Sequence, residues 1–139
     1  MKPRTLILVA FTAILAVSAV RAEPAGQPPI SRVVLIGAHW CAPCRAELPE
    51  LGALAAAAGP ARVMLGWIDR KPVLPPASSA VIEVLPVAAA RNLVSRHGIA
   101  ARGVPFAVAY AADGKPCTVW RGPLTPADWP TLTRQCAGE

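Results

Sequence analysis

The chain has 139 residues, about one domain's worth, of which 54% are hydrophobic and 16% charged. That apolar content excludes an intrinsically disordered chain, and 16 Pro with 10 Gly at no fixed period exclude a collagen. The formal charge of +6 includes Lys2, Arg4 and Arg21 of a removable leader; without those three, 11 of the 14 basic residues face 8 acidic ones. The mature charge is then +3 with no basic cluster, so no nucleic-acid partner is expected.

Residues 1–22 have the layout of a secretory signal peptide. Two cations precede an apolar run from Leu6 to Val20, broken only by Thr12 and Ser18. Val20 and Ala22 then place small residues around a cleavage site. The run of 15 residues is shorter than the roughly 20 that span a bilayer, which favours cleavage over retention as a membrane anchor. No Cys follows the run, so a lipid-modified cysteine is excluded. Export is expected on either reading, to the periplasm of a bacterial host, where cysteines can be oxidised. Residues 23–31 are Pro/Gly-containing and read as a flexible leader, and 32–139 as the folded domain.

Arg32 to Ala38 is a short run rich in β-branched residues, read as a buried strand. A helix is expected from about Ala42 to Ala58, kinked at Pro49 and ended by Gly59-Pro60. Arg62 to Ile68 reads as a second buried strand. The Pro-rich stretch Asp69 to Pro86 follows, with a short extended run at Val81 to Leu85. Val87 to His97 reads as a helix stopped by Gly98. Phe106 to Ala111 is a third strand, Asp113-Gly114 a hairpin signal, and Cys117 to Arg121 a fourth strand. Thr125-Pro126 caps a last helix running to about Cys136, with Trp129 and Leu132 on its apolar face. The order predicts an α/β fold: a central mixed β-sheet of about four strands flanked by helices.

Cys41-Ala42-Pro43-Cys44 falls between a buried strand and the mouth of a helix. There the free N–H groups and positive dipole end of the helix stabilise a thiolate, lowering its pKa and making it reactive toward disulfides. Cys41 is expected as the exposed nucleophile, and Cys44, more buried, as the thiol that resolves the mixed disulfide. Pro43 restricts the loop between them. Zinc is the rival use of such a pair, but no second Cys-x-x-Cys or His-x-x-x-His is present, so no metal is expected. A purely structural disulfide over so short a loop stabilises little. Redox chemistry is the preferred reading, with no cofactor beyond the Cys41–Cys44 disulfide itself.

These residues resemble the thioredoxin fold, and within it the exported TlpA/ResA-like thiol-disulfide oxidoreductases. The resemblance rests on Trp40-Cys41-Ala42-Pro43-Cys44, on Arg45 to Pro49, and on Gly103-Val104-Pro105-Phe106 downstream. It covers about Val33 to Gln135. It implies Cys41 as attacking and Cys44 as resolving thiol, with Trp40, Pro43, Val104 and Pro105 on the substrate-binding side. Pro105 would be a cis-proline facing the cysteines, and the Val104 backbone would pair with an incoming peptide. Glu47 matches an acidic residue that tunes thiol pKa values or passes a proton to Cys44; a solvated helix residue is the alternative. The buried Asp and Lys of cytosolic thioredoxins fall on Leu35 and Leu65, a coherent double loss, because one buried charge without the other is costly.

Cys117 opens the last strand and Cys136 ends the last helix, so a helix returning antiparallel would bring them within disulfide reach. Such a bridge reads as structural and would stabilise by about 3 kcal/mol; a second redox centre is the alternative, disfavoured because neither Cys has a partner at motif spacing. His39 is expected on the active-site rim, where its protonated form would favour the thiolate; an exposed bystander is the alternative. His97 reads as a helix-end surface residue, and Arg91, Arg96 and Arg102 as a solvated face. Trp67, Trp120 and Trp129 read as core, with a groove as the alternative for Trp120.

The functional expectation is an exported protein exchanging disulfides with protein thiol or disulfide clients, as a monomer. The resemblance favours the reducing direction, in cytochrome c maturation or a similar process, with electrons from a membrane thiol donor. Two alternatives stand: a dithiol oxidase or isomerase, and a soft-metal module holding Cu(I) on the same pair.

Overall fold

The computed structural model describes residues 29–74, 82–97, 99 and 103–138. The expected signal segment 1–22, most of the leader, Val81, Gly98 and Arg102 lie outside the described residues. Five strands form one sheet: β1 (Arg32–Gly37), β2 (Arg62–Trp67), β3 (Glu83–Leu85), β4 (Phe106–Tyr110) and β5 (Pro116–Arg121), in the order β3-β2-β1-β4-β5. β1, β2 and β3 are parallel, and β4 and β5 run antiparallel to their neighbours. The class is the expected mixed α/β sheet, with five strands rather than about four. The fifth strand is β3, three residues on the edge of the sheet that lie within the extended run expected at Val81 to Leu85.

β1 is central and buried on both faces, which is why Val33 to Ile36 read as a continuous apolar run rather than an alternating one. Val33 and Leu35 face one core with Leu51, Leu54, Trp67, Leu124 and Leu132, while Val34 and Ile36 face the other with Met64, Ala90, Phe106 and Val108. Ile30 joins the first core ahead of β1, and the Ser31 hydroxyl donates to Ala111 O at 2.7 Å, so the folded part begins before Arg32. Leu35 and Leu65 are register partners in β1 and β2, 3% and 4% exposed. Two leucines fill the position where a buried ion pair would have required mutual neutralisation.

The expected single kinked helix is instead three pieces: α1 (Ala42–Ala46), a 3-10 turn (Leu48–Glu50) and α2 (Leu51–Ala58). Pro49 lacks the N–H that would continue α1, and the chain tightens around it before resuming. α3 spans Val87–Arg96, and α4 (Trp129–Ala137) follows a 3-10 turn at Pro126–Asp128 rather than opening at Pro126. Thr125 and Asp128 form a reciprocal capping box ahead of α4. In the β4–β5 hairpin Gly114 takes φ +80°, a left-handed conformation that glycine adopts without penalty.

Candidate active site

Strand register brings three loops to one end of the sheet. Gly37 at the end of β1 pairs with Trp67 at the end of the parallel β2, and Ile36 pairs with Phe106 at the start of the antiparallel β4. The Cys41 turn, the segment after β2 and Val104-Pro105 therefore emerge together. The Val104–Pro105 peptide bond is cis, and Gly122 N–H donates to Pro105 O at 3.0 Å.

Cys41 and Cys44 form a disulfide with their Cα atoms 5.3 Å apart. Cys41 is the N-cap of α1, and its sulfur accepts the Cys44 N–H at 3.2 Å, so the helix end points a donor at that atom. The expectation of an exposed Cys41 over a buried Cys44 is not met in this disulfide form, where they are 4% and 3% exposed. Trp40, 51% exposed, stands in solvent beside the pair, with Ala42 and Pro43 also exposed. Pro43 lies in the first turn of α1.

Close packing under the pair depends on Gly37, which sequence reasoning passed over. A Cβ there would lie 2.9 Å from Cys44 Cβ, 3.3 Å from its sulfur and 3.2 Å from the Trp67 ring. No side chain fits between β1 and α1 at this point. Trp67 is core, as expected, at 1% exposure.

Glu47 is half-buried one turn after Cys44, and its carboxylate accepts Leu124 N–H at 2.6 Å. Burial pushes this carboxyl up to about 7, against the lowering pull of the Leu124 bond. On the other flank His39 donates its backbone N–H to Asp69 Oδ2 at 2.7 Å, and its Nδ1 lies 2.8 Å from the same oxygen. Partial burial raises the Asp69 pKa, but the bonds from His39 and Lys71 N–H outweigh it and hold the carboxyl below its usual range. Asp69 was not singled out by the sequence; its only cue was a short polar side chain directly after a strand.

Cys117 and Cys136 are bonded to each other, linking β5 to α4. Thr118 donates to Gln135 at 3.2 Å beside that bridge. Trp120 Nε1 donates to Pro123 O at 3.0 Å. Among the described residues no group of three or more His, Cys, Asp or Glu could hold a metal, and no helix is long and apolar enough to cross a membrane.

No family model and no curated protein matches the chain. Solved structures do. A thioredoxin-related protein from Neisseria meningitidis serogroup B is 22% identical, over 83% of this chain and 90% of that one, with a TM-score of 0.53. The N-terminal domain of PilB from Neisseria gonorrhoeae is 16% identical over 74% of each chain, with a TM-score of 0.57. The exposed lipoprotein thioredoxin Etrx1 of Streptococcus pneumoniae is 16% identical, over 78% of this chain and 86% of that one, with a TM-score of 0.54. Sheet order, the disulfide at the mouth of α1 and these likenesses agree: the chain has a thioredoxin-like fold.

Proposed function

We propose that the protein is an exported thiol-disulfide oxidoreductase that acts on protein clients through Cys41 and Cys44, in the reducing direction. The observation that carries the reading is the Cys41–Cys44 disulfide in the turn after β1, with a backbone N–H aimed at the Cys41 sulfur.

In the reduced protein the Cys41 thiolate attacks one sulfur of a client disulfide. That S–S bond breaks, a bond from Cys41 to the client forms, and one client thiolate leaves. Cys44, deprotonated, then attacks the Cys41 sulfur, the second client thiolate leaves, and the Cys41–Cys44 disulfide closes. Two electrons pass to the client, and its two thiolates take up the protons that Cys41 and Cys44 gave up. Glu47, one turn from Cys44 with a carboxyl near neutral, suits the role of accepting the Cys44 proton. Trp40, Pro43, Val104 and Pro105 form the client-facing side, and the Cys117–Cys136 bridge is structural. The dithiol needs no further cofactor, and a membrane thiol carrier would return it to the reduced state.

Residues 1–22 and the likeness to an exposed lipoprotein thioredoxin support the export reading. The deciding experiment is the reduction potential of the Cys41–Cys44 couple in the mature chain, with mass spectrometry following Cys117 and Cys136. A value at or below about −250 mV is expected, whereas one near about −120 mV would make the protein an oxidant.

A further inference from the structure

Parallel register places the segment after β2 beside the Cys41 turn, and that segment is fastened along its length. Ile68 N–H donates to Gly37 O at 3.0 Å, and Arg91 Nε of α3 donates to Ile68 O at 2.7 Å. Asp69 binds the His39 backbone and ring, Lys71 N–H returns to Asp69 Oδ1 at 3.2 Å, and Val73 packs on the core. What the fastened segment leaves in solvent is Arg70, Lys71, Pro72 and Leu74, the last 70% exposed. Only three large apolar side chains are exposed among the described residues, and two of them, Trp40 and Leu74, lie on the two loops that His39 and Asp69 join.

Positive charge is in excess on this lip. Arg70, Lys71 and the root-anchored Arg91 are cationic, while Asp69, its one carboxylate, is engaged by His39 and Lys71 N–H. Asp69 to Leu74 spans at most about 17 Å, the reach of about five residues of extended polypeptide. A client held by its cysteine at Cys41 could lay one short extended stretch along it.

We propose that Asp69 to Leu74 is a docking lip that selects extended polypeptide clients with acidic side chains beside the reacting cysteine and an apolar side chain for Leu74. The inference rests on the redox reading of Cys41 and Cys44 and names the client class for that site.

The test uses the reduced mature chain against two disulfide-bonded peptides of equal length, one with Glu and one with Lys flanking the cysteines. Neutral 2-hydroxyethyl disulfide is the reference substrate. We expect the Glu peptide to be reduced about tenfold faster than the Lys peptide at low salt, the gap shrinking to about threefold or less at 0.5 M NaCl. Arg70→Glu with Lys71→Glu should reverse the preference, and Leu74→Ser should slow both peptides about threefold, all with the reference rate unchanged. An unaltered Glu-over-Lys ratio in the charge-reversed variant, or an equal change toward the neutral disulfide, overturns the lip. Failure of the wild type to reduce even the neutral disulfide overturns the redox reading instead.

Discussion

The Glu47 carboxylate and the Leu124 N–H meet at 2.6 Å across 77 residues of sequence, tying the end of α1 to the loop between β5 and α4. The same loop reaches Pro105 through the Gly122–Pro105 hydrogen bond, so the segment after Cys44 and the turn ahead of β4 are tied to one loop.

A carboxyl raised from 4.5 to about 7 binds its proton more tightly in the folded than in the unfolded chain. Its favourable contribution is complete below pH 4.5 and is lost as pH rises through 7. Thermal unfolding of the oxidised protein should therefore show a midpoint that falls between pH 5 and 8. Glu47→Gln should flatten that fall and raise stability at pH 8 by on the order of 1–2 kcal/mol, a range discounted for the partial exposure of the group. The same variant should remove an ionisation near neutral pH from the rate of disulfide closure.

Cys44→Ser should trap the intermediate. With no resolving thiol, Cys41 remains bonded to its client, and mass spectrometry should find a stable adduct of the two masses. Cys41→Ser should form none and lower exchange about a thousandfold or more. Adducts forming on Cys44 instead would reverse the roles of the two sulfurs.

Gly37→Ala introduces a methyl 2.9 Å from Cys44 Cβ, which is fixed to the α1 backbone and cannot swing away. Relief requires α1 to shift off β1, at a cost of about 1–3 kcal/mol. The expected result is a lower denaturation midpoint with a changed Cys41–Cys44 reduction potential. An unchanged midpoint and potential would show that the close packing has no energetic consequence.

Replacing both Cys117 and Cys136 by Ser should lower stability by about 3 kcal/mol, from the entropy of the loop that the bridge closes. Exchange through Cys41 and Cys44 should persist at temperatures where the variant is folded. Denaturant titration separates the two effects, and loss of exchange in the folded variant would give the second pair a redox role.

Local signals were legible where one residue's identity constrains its own backbone or its near neighbours. Apolar runs marked β1, β2 and β4, Asp113-Gly114 marked the hairpin, and Cys41 and Cys44 marked a disulfide pair. Pro49 announced a disturbance, although not that the helix would divide into three, because a proline specifies a missing donor and not how the next turn recovers. The extended run expected at Val81 to Leu85 becomes a strand only at Glu83–Leu85, because Met64 to Gly66 offer those three residues partners.

The layer architecture, the Cys41–Cys44 pair and its place between a strand and a helix were all written in local signals, since periodicity, turn residues and a three-residue spacing act over a few bonds. Which side chains surround that pair is a matter of long-range folding. Glu47 meets Leu124, His39 meets Asp69, and Gly37 admits Cys44, through juxtapositions set by strand register between segments far apart in the chain. A carboxyl raised to about 7 follows from burial, which no residue encodes alone.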